Sequence, residues 1–227
     1  MRRSDPPDRR FPSVAVRNTG RRKPSSTRWL SRQLNDPYVA EAHHRGYRSR
    51  AAFKLIELDD RFRLLRPGRR VVDLGCAPGG WTQVAVERVG SNKGRGMVVG
   101  VDLAPTVALP GAVLLLGDVR DPAVSVALGN ALGGAADIVL SDMAPSTTGH
   151  ASTDHLRIVA LAEDAFDLAS QMLKPGGAFV AKVFQGGAEG ELLASLKRGF
   201  GQLRHAKPPA SRAESAETYV VATGFRG

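Results

Sequence analysis

Four ionisable residues interrupt apolar stretches of this chain, where a charge is costly to bury unless it is paired. Lys54 sits in Ala51-Ala52-Phe53-Lys54-Leu55, and Asp142 ends Ile138-Val139-Leu140-Ser141-Asp142. Lys182 lies inside Ala178-Phe179-Val180-Ala181-Lys182-Val183-Phe184, and Glu217 precedes Thr218-Tyr219-Val220-Val221. Two lysines and two carboxylates at strand ends or beside a sheet are candidates for a catalytic constellation.

A second group of residues points to a ligand. Val71-Val72-Asp73-Leu74-Gly75-Cys76-Ala77-Pro78-Gly79-Gly80-Trp81 reads as a strand, a glycine-rich turn and the start of a helix. Such a turn lets a ligand approach the backbone. The glycines fall at Gly75, Gly79 and Gly80, so the G-x-G-x-x-G spacing that cradles a pyrophosphate is missing. Asp102 ends the next strand, where a carboxylate can accept from both hydroxyls of a ribose. Asp118 follows a third strand, within reach of an adenine amino group. Together they suit an adenosine without phosphates, while a helix N-cap is the alternative reading of each aspartate. Cys76 in the turn reads as a small buried residue rather than a reactive thiol.

The elements that would position these groups alternate from about residue 69 onward. Short apolar runs at Arg70–Gly75, Met97–Asp102, Ala112–Gly117, Asp137–Asp142 and Ala178–Phe184 are expected strands. Helices are expected at Gly80–Val89, Pro122–Leu132, His155–Leu173 and Ala188–Phe200, with Gly90 and Pro175-Gly176-Gly177 as stops. A last, antiparallel strand at Thr218–Thr223 would end the fold. The expectation is an α/β fold: a doubly wound, mostly parallel, Rossmann-like sheet with helices on both faces. Residues 29–66 read as two helices covering one edge of it. There Arg45, Arg48 and Arg50 beside Tyr47 could grip phosphates and stack on a base, though a solvated helix face gives the same pattern.

The chain has 227 residues, 42% of them apolar, a formal charge of +10 and one cysteine. That length suits one domain, residues 29–227, with an appendage. Most of the charge lies in residues 1–28, a Pro- and Ser-rich stretch expected to be a disordered basic tail able to add phosphate contacts. The excess of positive charge fits a polyanionic partner. No run suits a membrane span or a secretory leader, and a lone Cys76 can neither form an internal disulfide nor build a multi-thiolate zinc site, so a soluble cytoplasmic protein is expected. His43-His44 point to different sides of a helix, so no metal is expected.

From about Trp29 to Gly224 the sequence resembles the FtsJ family of RNA ribose 2′-O-methyltransferases. The resemblance rests on Ser49-Arg50-Ala51-Ala52-Phe53-Lys54-Leu55, the Asp73–Trp81 turn, Ser141-Asp142-Met143-Ala144-Pro145, Lys182-Val183-Phe184-Gln185-Gly186, and Ser211-Arg212 through Glu217-Thr218-Tyr219. Ser141 and Met143 resemble the branch that methylates a uridine of large-subunit ribosomal RNA. The resemblance implies S-adenosylmethionine as cofactor, a catalytic tetrad at Lys54, Asp142, Lys182 and Glu217, and cofactor contacts at Gly79, Trp81, Asp102, Asp118 and Asp142. It also implies the large-subunit RNA or the 50S subunit as partner; a monomer is expected because so large an RNA supplies its own extended surface. In such a transfer the attacking hydroxyl must lie in line and lose a proton. A free lysine titrates at about 10.4, so Lys182 would serve as a neutral base only if its surroundings changed that; the alternative is a charged Lys182 that orients the hydroxyl. Rival readings are a tRNA 2′-O-methyltransferase, a large-subunit assembly factor, and a nicotinamide oxidoreductase, the last disfavoured by the glycine spacing.

Overall fold

The computed structural model describes residues 14–15, 27, 30–31, 33–145, 148–185 and 190–227. Helices α1 (Pro37–Arg45) and α2 (Ala51–Phe62) come first, followed by β1 (Arg70–Leu74), α3 (Gly80–Val89), β2 (Met97–Asp102) and β3 (Val113–Leu116). Then come α4 (Pro122–Leu132), β4 (Ala136–Ser141), α5 (Ala151–Met172), β5 (Leu173–Phe184), α6 (Gly190–Gly199), β6 (Phe200–Ala206) and β7 (Glu217–Phe225). The strands form one sheet in the order β3-β2-β1-β4-β5-β7-β6. Pairing is parallel from β3 through to β5 and antiparallel between β5, β7 and β6.

Central strands of this kind are buried on both faces, which is why Val71-Val72 of β1 and Ile138-Val139-Leu140 of β4 are consecutive apolar residues and do not alternate with polar ones. β4 is buried at every position. Two apolar clusters flank the sheet. One gathers Phe53, Leu55, Trp81 and Val84 from α2 and α3 over Val71, Ile138, Leu140, Val180 and Tyr219. The other gathers Leu128, Ala165 and Leu196 from α4, α5 and α6 over Val72, Val139, Phe179 and Val220. The strand order reverses between β1 and β4, and the carboxyl ends of those strands are where an open α/β sheet offers a ligand crevice.

Several elements depart from expectation. The block before the core does not cover an edge: α2 lies on a sheet face, because Phe53, Leu55 and Leu58 are too apolar for a border and pack over β4, β5 and β7. Pro175-Gly176-Gly177 does not separate a helix from a strand. α5 ends at Met172 and β5 already begins at Leu173, paired with Ala136, before a register shift carries Lys174–Gly176 outward as an exposed bulge. Thr218–Thr223 is the middle of β7, and β6 pairs with its outer side. The expected tail, residues 1–28, lies outside the described residues apart from Val14, Ala15 and Thr27. Among the described residues no helix is long and apolar enough to cross a membrane.

Candidate active site

The period-2 alternation of β5 and β7 decides where the polar groups go. Lys182 shares a face with Ala178 and Val180, and directly opposite it on β7 stands Tyr219. Glu217, one alternation before Tyr219 and facing Phe184 across the pair, projects to that same face. α2 covers this face and brings Lys54 down onto it. Asp142, just beyond the end of β4, completes the group. Lys54 Nζ donates to Glu217 Oε2 at 2.8 Å and stands 3.9 Å from Asp142 Oδ1. Lys182 Nζ donates to Asp142 Oδ1 at 3.0 Å and to the Asp142 carbonyl at 2.6 Å. The structure therefore brings all four expected tetrad residues together, with the lysine side chains 7–10% exposed and the carboxylates 15%.

Two opposite pairs this close form a neutral set, so none of the four is a lone buried charge. Burial alone would raise the Asp142 carboxyl, but the ammonium groups of Lys182 and Lys54 outweigh it and hold Asp142 below the usual carboxylate range. Two further residues belong to the cluster. The Tyr219 hydroxyl, fully buried, donates to Asp142 Oδ1 at 2.7 Å, and its ring lies 5.5 Å from that of Trp81. Burial, and then the charges of Asp142 and Glu217, push the Tyr219 phenol well above its ordinary value, so it remains a donor. The Ser211 hydroxyl donates to Glu217 Oε1 at 2.7 Å, so both carboxylate oxygens of Glu217 are held. Tyr219 was visible in the sequence as a polar-tipped residue in phase with Glu217. Ser211 sits in the β6–β7 connection, where no periodicity marks it.

Beside the tetrad a cleft of about 300 Å³ opens at the carboxyl ends of β1, β2 and β4. Asp102, Leu103, Gly117, Asp118, Arg120, Asp142, Met143 and Leu161 are among the residues around it. Its size falls at the lower end of small-ligand sites, and its mix of apolar wall and few carboxylates is what such sites use. Gly75 lets the chain close under it: with φ of 75°, its position leaves a Cβ only 2.6 Å from Met143 Cγ. Asp102 accepts from the amides of Ala77 and Ala104 at 2.8 Å, one on each oxygen, which leaves each oxygen a further lone pair. Asp118 is gripped by the Arg120 side chain on both oxygens, and those hydrogen bonds bring its carboxyl down to about 2. Neither aspartate caps a helix; Asp121 is the N-cap of α4.

The cleft thus unites Asp102, Asp118 and Asp142 from the expected cofactor set. Gly79 and Trp81 are placed differently. The Trp81 indole is 3% exposed and donates from Nε1 to the Ala51 carbonyl at 2.8 Å, which makes it a tie between α3 and α2. Gly79 lies under the side chain of Arg48, whose Nη1 would sit 2.8 Å from a Cβ there. The arginines near Tyr47 are also committed within the chain: Arg45 to Glu41, Arg50 to Asp36 and the Ala210 carbonyl, and Arg48 to backbone carbonyls. The Tyr47 ring meets Phe53 edge to face and its hydroxyl donates to Glu87, so its position is set by contacts within the chain. A smaller hollow of about 270 Å³, lined by Arg50, Arg212, Glu214, Ser215 and Glu217, opens on the tetrad from another side.

Comparison with known proteins agrees with this geometry. Residues 47–225 match the model of the FtsJ-like methyltransferase family. A Paramagnetospirillum magneticum protein named ribosomal RNA large subunit methyltransferase E is 64% identical over 95% of this chain and 89% of its own length. A protein of the same name from Acidiphilium cryptum is 60% identical over 96% of this chain and 95% of its own length. A crystal structure from Plasmodium falciparum described as a ribosomal RNA methyltransferase superposes with a TM-score of 0.71 at 31% identity, covering 80% of this chain and all of that one. With its tetrad, its cleft and these matches, the chain belongs to the FtsJ-like methyltransferase family.

Proposed function

We propose that the protein transfers a methyl group from S-adenosylmethionine to the ribose 2′-hydroxyl of a uridine in the RNA of the large ribosomal subunit, acting on the assembled subunit in the cytoplasm. The observation that carries the reading is the placement of the tetrad between two openings of different character. Asp142 belongs to a cleft with carboxylates and apolar walls, and Glu217 to a hollow with two arginines. The first suits an adenosine-type cofactor carrying a positive charge. The second is a polar opening in which Arg50 and Arg212, both paired to Asp36, stand beside Glu214 and Glu217, and it is the side from which a substrate hydroxyl would reach the tetrad. The relatives' printed names supply the large-subunit RNA as substrate class, and residues 29–227 act as one domain and a monomer.

S-adenosylmethionine, when bound, supplies an electrophilic methyl group on a sulfonium. Asp102 would hold the ribose hydroxyls of this cofactor and Asp118 its adenine amino group, each by lone pairs that the present hydrogen bonds leave free. Leu103, Met143 and Leu161 supply the apolar walls. The attacking 2′-hydroxyl must lie in line and shed a proton as its oxygen gains negative charge. Lys182, paired with the ionised Asp142 at 3.0 Å, orients that hydroxyl and stabilises the developing charge as an ammonium, and the hydroxyl proton passes to solvent water as the methyl transfers. Lys54 and Glu217, paired at 2.8 Å, keep the set neutral, and the Tyr219 hydroxyl fixes the Asp142 carboxylate.

The test offers labelled S-adenosylmethionine with large subunits lacking ribose methylation, naked large-subunit RNA and bulk tRNA in parallel. Label on the subunits is expected. Label on tRNA alone would move the protein to a different RNA, and cofactor binding with no transfer to any of the three would favour an assembly factor.

A further inference from the structure

Arg48, in the short connection between α1 and α2, reaches across the cofactor turn to a separate segment. Its Nη1 donates to the carbonyls of Val107 at 2.6 Å and Pro78 at 3.3 Å, and its Nη2 donates to the Ala108 carbonyl at 2.7 Å. Two adjacent carbonyls taken by the two ends of one planar fork are a geometry that only a guanidinium provides. The side chain passes directly over Gly79, where a Cβ would stand 2.8 Å from Nη1 and 2.9 Å from Cδ. The base of the arm is fixed as well: the Arg48 amide donates to Gln83 Oε1 at 2.6 Å, and Gln83 Nε2 donates to the Gly46 carbonyl at 3.0 Å.

The segment it holds, Leu103 to Ala108, leaves β2 directly after Asp102 and belongs to no strand or helix. Leu103 lines the cleft although it is 71% exposed, and Val107 is 79% exposed. Burial therefore holds this segment weakly. Among the described residues its other hydrogen bonds are the Ala104 amide to Asp102, Thr106 to the Ala104 carbonyl and a 3.9 Å contact between Thr106 and Cys76. A segment with so few apolar contacts opens at low cost unless something ties it down.

We propose that Arg48 is a positioning residue for the cofactor: it ties the Leu103–Ala108 segment, whose first residue lines the cleft, to the turn at Gly79, so that the cleft is formed before the ligand arrives. This rests on the reading of the cleft as the S-adenosylmethionine site. The guanidinium is spent on the protein's own carbonyls, so its contribution is to cofactor affinity and not to a phosphate contact. The same arm joins this segment to the connection that leads into α2 and Lys54.

The test compares the full chain with Arg48→Lys and Arg48→Ala by titration calorimetry with S-adenosylmethionine and by amide hydrogen exchange. Arg48→Ala should weaken cofactor binding about tenfold, the worth of one lost charged hydrogen bond. It should speed exchange in residues 103–109 while β1 and β4 stay protected, with kcat at saturating cofactor and KM for the RNA substrate within about twofold of the wild type. Arg48→Lys, which keeps the charge but not the fork, should lie between; if the alanine variant does not fold, the lysine variant carries the test. Unchanged cofactor affinity in a folded variant, or a rise in KM for RNA with residues 103–109 exchanging as in the wild type, would overturn the proposal. A wild-type chain that gives no heat with S-adenosylmethionine would instead remove the cofactor reading on which it stands.

Discussion

Asp73 offers a test of the electrostatics under the cofactor turn that needs no substrate. Its side chain is fully buried in β1, Oδ2 accepts from Thr82 Oγ1 at 2.7 Å, and Oδ1 has no hydrogen-bond partner among the described residues. Burial first, then the nearby carboxylates of Asp142 and Asp102, push this carboxyl up to about 7. A carboxyl raised by folding binds its proton more tightly in the native state. Its contribution is therefore whole below the unfolded value near 4 and is lost as pH climbs to about 7, with no further change above. Replacing it by Asn keeps the shape and the acceptor for Thr82 but removes the ionisation. The span from about 3.8 to about 7 sets a limit on the order of 4 kcal/mol for the stability that the wild type loses and Asp73→Asn keeps. Urea denaturation of both proteins from pH 4.5 to 8.5 reads the difference, and a constant m-value licenses the comparison. The gap should grow in favour of Asp73→Asn up to about pH 7 and then level off. A gap that does not vary with pH would refute the reasoning, because it would mean that Asp73 ionises in the fold as readily as in the unfolded chain.

Three further outcomes are expected. Tyr219→Phe keeps the ring on Trp81 but removes the 2.7 Å hydrogen bond to Asp142; it should cost about 2 kcal/mol in urea denaturation and lower kcat about tenfold, and an unaltered kcat would show that the Asp142 carboxylate is held without it. Ser211→Ala frees one oxygen of Glu217 and should lower kcat several-fold, to about the extent of one neutral hydrogen bond, with KM for S-adenosylmethionine unmoved and with recovery in Ser211→Thr; equal losses in the alanine and threonine variants would indicate a packing role instead. With Lys182 acting as an ammonium beside a carboxylate held below its usual range, kcat should stay flat from about pH 6 to 9 under single-turnover conditions, whereas a slope of one over that span would identify a titrating base.

Much of the site was legible in the sequence because its residues break local rules. A lysine in a strand as apolar as Ala178–Phe184 has to be paired, and the period of β5 against β7 fixes which residues share its face. Asp102 at the end of β2 and Asp118 just beyond β3 are readable from position as well, since strand ends in a parallel sheet face one crevice. What was not legible depends on contacts between distant segments. β6 was missed because Phe200-Gly201-Gln202-Leu203-Arg204-His205-Ala206 is an edge strand exposed along most of its length, so it shows neither alternation nor an apolar run. The resemblance implied a cofactor contact at Trp81, and the direction of its indole, inward to the Ala51 carbonyl, depends on the packing of α3 against α2. The role of Arg48 is invisible in one dimension, since its partners are main-chain carbonyls that any residue would present.

The central claim is that the tetrad around Lys182 performs methyl transfer to one ribose hydroxyl of large-subunit RNA. The most direct test is a single-turnover reaction on subunits lacking ribose methylation, with wild type and Lys182→Ala side by side, the product mapped by primer extension at low nucleotide concentration and cofactor binding measured for both. The account predicts one modified 2′-hydroxyl with the wild type, its loss by at least about a hundredfold in Lys182→Ala, and cofactor affinity that stays within a few-fold. Full transfer by Lys182→Ala, or modification at a base instead of a ribose, would contradict it.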